Sequence, residues 1–235
     1  NSGLGSSSTS FIFDTFANFR AKLAADASTA DDTLAMANLA AGPNNPASGS
    51  ANIALSTANA KALGYSIGAG ADSSINLNTS ICNLVHGTNT NGGFYDLYAV
   101  ACHEIDEALG TVSLVGDPFG NSRPSSADMF RYNAGAHSWD TSTTHAAFFS
   151  IDGTNNIVEY NQLGRSGGDW GDWRTHSPAQ VQDWAGSPGV TVDMGASETR
   201  LLDVVGYNYI NPVPEPATVL ALGLGAVALI RRRKK

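Results

Sequence analysis

The sequence predicts a body of mixed α+β class in which helices outweigh strands. The clearest helix is Tyr95–Leu109, followed by Gly110, a residue that commonly ends helices. Residues 11–39 space their apolar side chains as two helices do. Ser74–Asn78 alternates polar and apolar residues, which is the pattern of a half-buried strand.

The other predicted elements are shorter. Residues 1–10 are rich in serine and glycine and are predicted to form a loop, or to be the remnant of an upstream segment. Local composition predicts strands at Asn52–Ser56, Met129–Tyr132, Ala146–Ile151 and Ile157–Tyr160, a helix at Thr57–Leu63, and a closing helix or strand at Arg200–Tyr207.

The charge distribution argues against a nucleic-acid partner. Residues 1–213 hold 8 Lys and Arg against 20 Asp and Glu, a net charge of −12. Such a body repels phosphate backbones and favours divalent cations. Two cysteines, Cys82 and Cys102, are too few for a disulfide scaffold, and they either form one bridge or remain small buried groups.

The end of the chain has a different pattern from the body. The uncharged run Ala217–Ile230 is closed by five consecutive cations, which predicts a transmembrane helix whose basic end stays cytoplasmic while the body lies outside. Its 14 residues fall short of the about 17–25 of a usual span, but flanking cations can snorkel. A short rigid motif precedes the run and consists of Pro214, Glu215 and Pro216.

This arrangement closely resembles the PEP-CTERM sorting signal of exported bacterial proteins. The resemblance implies that an exosortase-type sorting enzyme recognises the tail and usually removes it. Membrane anchoring is then transient, and the protein ends in the cell envelope, at the cell surface or in the extracellular matrix. Export also requires a signal peptide, and residues 1–9 contain neither Met nor an apolar run, so we expect sequence upstream.

The predicted helix carries the clearest chemical pattern. His103 and Glu107 are four residues apart and therefore project from one face of the helix. A metal ion bound by this pair would have Glu104 beside its water. That is the division of labour in HExxH metallopeptidases, where the intervening Glu is the general base.

The frame around these residues resembles the matrixin-type active-site helix of the metzincins, with Glu107 in place of the second His and Ser113 in place of the third ligand. More broadly, the segments at 27–43, 95–110, 126–135 and 148–153 resemble a group of exported bacterial proteins with a HEIxExLG motif, classed as metalloproteases. The resemblance implies a metzincin-like domain with a small mixed sheet and an active-site helix. It divides the chain into 1–10, the domain 11–210, a linker 211–216, and the helix with its basic tail 217–235.

The resemblance implies Zn²⁺ as the cofactor. A carboxylate ligand such as Glu107 also makes harder ions such as Mn²⁺ or Ca²⁺ more competitive. Asp128 is the first candidate for the third ligand, because an acid within a short apolar segment needs a reason to be held there. The other candidates are Asp117, His137, His145 and His176.

The segment GGDWGDW at 167–173 offers Asp169 and Asp172 between glycines, which is typical of a Ca²⁺ site or a cleft rim. We favour a simpler interpretation, a loop pinned by the packing of Trp170 and Trp173. Nothing in its loop distinguishes His86.

The sequence thus predicts an exported zinc-dependent endopeptidase that uses metal-activated water to attack a peptide bond in a protein or peptide substrate. An alternative is a non-enzymatic surface or biofilm-matrix protein that keeps a degenerate metalloprotease fold. A further alternative is an inactive scaffold stabilised by Ca²⁺.

Overall fold

The computed structural model describes residues 3–88, 91–120, 122–133, 138–162 and 168–209. Within these ranges the chain is mixed α+β, as the sequence predicted, and helices outweigh strands. The α-helices are α1 (Phe16–Asp26), α2 (Ala30–Asn38), α3 (Thr57–Ala62), α4 (Leu97–Asp106) and α5 (Ala196–Val204).

The strands of the described residues form four small sheets rather than one. Three of these are pairs: β1 with β4 and β2 with β3, both antiparallel, and β5 with β6, which is parallel. The fourth is the antiparallel order β7-β8-β9. The bounds are β1 Gly5–Thr9, β2 Phe11–Thr15, β3 Asn52–Ser56, β4 Ser73–Leu77, β5 Cys82–Asn83, β6 Tyr95–Asp96, β7 Arg131–Asn133, β8 Ala147–Phe149 and β9 Val158–Glu159.

Two predictions near the start of the chain were wrong. Gly5–Thr9 is a strand rather than a loop, and Phe11–Thr15 is a strand rather than the beginning of a helix. Both strands depend on partners far along the chain, β4 and β3, and such pairing leaves little signal in local sequence. The helix begins only at Phe16, because the Thr15 hydroxyl caps it by accepting a hydrogen bond from the Asn18 amide at 3.3 Å.

The second predicted helix of this region is confirmed as α2, and its start is explained by a capping box. The Thr29 hydroxyl accepts from the Asp32 amide at 3.0 Å, and the Asp32 carboxylate accepts from the Thr29 amide at 2.9 Å. The strand at Asn52–Ser56, the helix α3 and a helix near the end of the body are confirmed as well.

The core is built around Trp173, which is fully buried. Its indole stacks on Phe149 of β8 with ring centroids 6.0 Å apart, and it contacts Tyr160 at 4.9 Å. The buried guanidinium of Arg131 lies 4.5 Å from the centre of the Tyr160 ring. The predicted packing of a loop tryptophan is therefore confirmed for Trp173.

Two further predictions concern the cysteines and the membrane. Cys82 and Cys102 both carry free thiols. No helix among the described residues has the length and apolarity to cross a membrane. The transmembrane helix predicted within 217–235 lies outside the described residues.

We expect Phe149→Ala to lower the free energy of unfolding by about 3–5 kcal/mol, because it leaves a cavity against Trp173. Urea unfolding of the purified protein measures the loss. Phe119→Ala is the matched control, because Phe119 is 62% exposed and should change stability by no more than about 0.5 kcal/mol. Equal losses in the two variants would contradict this assignment of the core.

Candidate metal centre

Helix α4 and the helical turn that continues it present His103, Glu104 and Glu107 beside one another, as the sequence predicted. Asp96 caps the helix by accepting a hydrogen bond from the Tyr98 amide at 3.1 Å. The His103 Nε2 atom lies 3.7 Å from Glu107 Oε1 across one turn. Glu107 begins a π-helical turn, Glu107–Thr111, which continues α4 and includes Gly110 at φ 127°.

The third member of the cluster is Asp172. Its Oδ1 atom lies 3.5 Å from His103 Nε2, and one ligand atom from each of His103, Glu107 and Asp172 lies within 4.8 Å of the other two. Asp172 directly precedes Trp173, so burial of that indole in the core places the carboxylate against α4. A nitrogen and two carboxylate oxygens at such separations suit a divalent cation.

Neighbouring groups fix the orientation of each of these side chains. The His103 Nδ1 atom lies 2.9 Å from the carbonyl oxygen of Val181, which can only accept, so Nδ1 carries a proton and the lone pair of the neutral ring is on Nε2. The Ser7 hydroxyl donates to Glu107 Oε2 at 2.5 Å, and the Asp169 amide donates to Asp172 Oδ2 at 2.9 Å. Such outer contacts are typical of metal ligands.

The cluster holds more negative charge than its surroundings neutralise. Burial, together with the charge of Glu107, raises the pKa of Glu104 to about 7. Burial raises the pKa of Asp172 to about 7, although His103 opposes the shift, and it raises the pKa of Glu107 as well. Burial disfavours the charged form of His103, yet the carboxylates of Asp172 and Glu107 raise its pKa. A bound cation would relieve this repulsion among the carboxylates.

Asp128, the first sequence candidate for the third ligand, is engaged elsewhere. Its buried carboxylate accepts from the Ser113 hydroxyl, from the Leu114 amide at 3.1 Å and from the Ser125 amide at 2.8 Å. It therefore holds the chain that leaves the helix, and the structure places Asp172 beside His103 and Glu107. The reason that Asp128 is held in an apolar segment is thus this local network of hydrogen bonds.

The other candidates also lie outside the cluster. Asp117 accepts from the Phe119 amide at 2.7 Å in a turn, His145 is paired with Asp140 at 3.5 Å, and the His176 Nδ1 atom lies 2.7 Å from Asp183. His137 lies outside the described residues.

A cavity of about 390 Å³ opens beside the cluster. One wall is the N-terminal segment Gly3–Ser7, a second is α4, and a third is formed by residues between 179 and 192. The strand β1 lies close over the acids, since a Cβ atom added at Gly5 would come within 2.9 Å of the Glu104 Cδ atom. Sequence reasoning missed this wall, because residues 5–9 carry no apolar pattern.

The structural role of His86 was also missed by sequence reasoning. Its Nδ1 atom lies 2.7 Å from Asp96, and its Nε2 atom lies 2.9 Å from Asp193. These two hydrogen bonds, to Asp193 and Asp96, raise the pKa of His86, because the imidazolium alone can donate to both. Asp96 also accepts from the Val192 amide at 3.3 Å, so this network ties the cavity wall to the start of α4.

The comparisons with known proteins bear on the end of the chain. Residues 212–234 match the family model for the PEP-CTERM protein-sorting motif. The sorting signal predicted at Pro214, Glu215 and Pro216 is thereby confirmed, although these residues lie outside the described ranges. The protein is exported, an exosortase-type sorting enzyme recognises it, and it is directed to the cell envelope or surface.

No curated protein and no solved structure matches the chain. The metalloprotease resemblance of the body and its metzincin-like arrangement stay predictions.

We expect Asp172→Asn to weaken the binding of a divalent cation such as Zn²⁺ by at least about 100-fold, because a neutral amide replaces one of the two anionic carboxylates of the cluster. Competition titration with a chromophoric chelator measures the affinity. Asp128→Asn is the control, and it should lower the thermal midpoint while leaving the affinity unchanged. If only Asp128→Asn loses affinity for the metal, Asp128 rather than Asp172 is the third ligand.

We also expect a pH-dependent stabilisation from His86. Because its folded-state pKa is raised above the unfolded value of about 6.5, the stabilisation is complete below that value and is lost as the pH rises through the folded-state pKa. His86→Gln should therefore lower the urea midpoint more at about pH 6 than at about pH 9. His145→Gln, at a histidine whose side chain is 60% exposed, is the control. A loss independent of pH would exclude the ionic bridge.

Proposed function

We propose that this exported protein is a metal-dependent hydrolase, and specifically a zinc endopeptidase. The observation that carries the proposal is the convergence of His103, Glu107 and Asp172 within 4.8 Å, with Glu104 adjacent on the same helix. The donor set fits the ion, since a neutral imidazole and two carboxylates are ordinary zinc ligands. A zinc ion held there would supply Lewis-acid polarisation of a peptide carbonyl and of water.

The residues around the proposed metal ion have distinct roles. His103 offers Nε2 because the Val181 carbonyl holds the proton on Nδ1. Glu107 offers Oε1 because the Ser7 hydroxyl engages Oε2. Glu104 accepts the proton of the attacking water and returns it to the leaving amine. Its position inside a buried, acid-rich site suits it to hold a proton near neutral pH.

The cavity supports a peptide substrate in preference to a very small one. Its volume of about 390 Å³ is of the size that binds several atoms of a substrate at once. Residues 3–7 line it together with apolar residues such as Val190 and Trp184, and this combination suits an extended polypeptide.

Two carboxylate ligands make the site harder than one with three histidines. The metal is then a weaker Lewis acid, and Mn²⁺ or Ca²⁺ competes better than in a site of three histidines. The apoprotein should therefore be titrated with Zn²⁺, Mn²⁺ and Ca²⁺ in parallel. Tight binding of Ca²⁺ with no binding of Zn²⁺ would favour the scaffold role.

We expect about one Zn²⁺ per purified chain, and we expect Glu104→Gln to keep the metal while cleavage of casein falls by about 10²–10⁴-fold. Elemental analysis and a casein assay with and without chelator measure the two quantities. His103→Ala should lose both the metal and the activity, whereas Asp117→Asn, in an exposed turn, should keep both. A chain without stoichiometric metal would refute the proposal. Metal without chelator-sensitive cleavage would favour a non-enzymatic surface protein.

A further inference from the structure

We propose that Glu198 of α5 is a positioning residue of the metal centre, and that it acts on His103 through one intervening peptide group. That group joins Val181 to Gln182. Its oxygen accepts a hydrogen bond from the His103 ring, and its N–H group donates one to the Glu198 carboxylate. The effect on metal binding rests on the proposed function, whereas the orientation of His103 does not.

The peptide group between residues 181 and 182 makes one hydrogen bond at each end. The His103 Nδ1 atom lies 2.9 Å from the Val181 oxygen, and the Gln182 nitrogen lies 3.2 Å from Glu198 Oε1. In a planar trans peptide group the C=O and N–H bonds point in opposite directions. The imidazole and the carboxylate therefore lie on opposite sides of one rigid unit, and a rotation that breaks either hydrogen bond also misdirects the other.

Glu198 is a fully buried acid whose position is explained by this contact. It lies in the first turn of α5, where the positive end of the helix dipole favours a negative charge. Its Oε2 atom has no hydrogen-bond partner in the described part of the chain, and a Cβ atom added at Gly195 would come within 2.6 Å of it. Burying a carboxylate costs free energy, so a residue needed only for packing would be apolar here.

The carboxylate makes the Val181 oxygen a better acceptor for His103. Hydrogen bonds that share a peptide group polarise one another, so negative charge at the N–H end increases the electron density on the carbonyl oxygen. A stronger bond at Nδ1 holds the ring proton there and makes Nε2 a more basic donor atom. In many metal sites a carboxylate bonds to the ligand histidine directly. Here a peptide group lies between the two.

The same segment also contacts Asp172. The Gln182 side-chain amide lies 3.5 Å from Asp172 Oδ1, and the Gln182 carbonyl accepts from the Trp173 amide at 2.7 Å. By holding the Gln182 amide, Glu198 fixes a segment that contacts two of the three potential ligands.

The test is the tautomer of His103 in the chelator-treated full-length protein. Long-range ¹⁵N–¹H NMR distinguishes a ring with the proton on Nδ1 from a ring with the proton on Nε2. The spectra are recorded at about pH 9, well above the unperturbed imidazole pKa of about 6.5. His103→Gln identifies the His103 signals among those of the five histidines.

We expect the proton on Nδ1 in the wild-type protein. Glu198→Ala should shift the tautomer ratio at least about fivefold towards Nε2–H, because the Val181 carbonyl becomes a weaker and less fixed acceptor. Glu198→Gln should keep the proton on Nδ1, since its amide oxygen can still accept from Gln182. Leu201→Ala is the matched control: Leu201 is fully buried in the same helix, so its loss should lower the thermal midpoint and leave the tautomer unchanged. Equal tautomer ratios in the wild-type protein and Glu198→Ala, or the same shift in Leu201→Ala, would overturn the inference.

A second signal decides the matter if Glu198→Ala does not fold. Hydrogen bonds to a charged acceptor are shorter and stronger than those to a neutral one. The Gln182 amide proton should therefore move upfield in Glu198→Gln and stay in place in Leu201→Ala. An unchanged Gln182 signal in Glu198→Gln would contradict a charged acceptor at this position.

Titration with Zn²⁺ measures the consequence for the metal centre. We expect Glu198→Ala to weaken binding by about 10–100-fold, and Glu198→Gln to weaken it by less than about tenfold. Unchanged affinity in Glu198→Ala would overturn the link between Glu198 and the metal centre. A wild-type chain that binds no metal but shows the tautomer shift would refute the proposed function and support the role of Glu198 in orienting His103.

Discussion

The burial of Trp173 is the interaction on which the rest of the site depends. Its indole completes the aromatic core with Phe149 and Tyr160, and the backbone must therefore bring the preceding residue, Asp172, against α4. The backbone amide of Trp173 bonds to the Gln182 carbonyl at 2.7 Å, which draws the Val181 segment to the same place. The packing of Trp173 therefore positions both the Asp172 carboxylate and the Val181 carbonyl that orients His103.

The same arrangement concentrates negative charge where water is scarce. Glu104, Glu107 and Asp172 are buried together with a single histidine, and burial raises the pKa of each acid. Such a cluster destabilises the folded chain unless protons or a cation neutralise it. The body as a whole is also acidic, and the sorting signal directs it to the cell envelope or surface.

Several elements were predictable because their signals are local. The spacing of His103, Glu104 and Glu107 on one helix follows from a periodicity that a short window contains, and so do α2, with its capping box, and the strand at Asn52–Ser56. The strands β1 and β2 were missed because their partners lie more than 35 residues away. Asp128 was chosen as the third ligand because it is an acid in a short apolar segment, and only its hydrogen bonds to Ser113 and Ser125 in the folded chain show that it is engaged elsewhere.

The sequence by itself determined that the protein is exported and sorted, because a Pro-Glu-Pro motif, an uncharged run and a basic end are contiguous and are recognised as a linear segment. It also determined the α+β class and the pair of potential ligands one helical turn apart. The tertiary structure alone decided which distant acid joins that pair, which strand covers it, and which carbonyl and hydroxyl orient it. These are contacts between residues 65 or more positions apart, and long-range packing, rather than any local preference, brings them together.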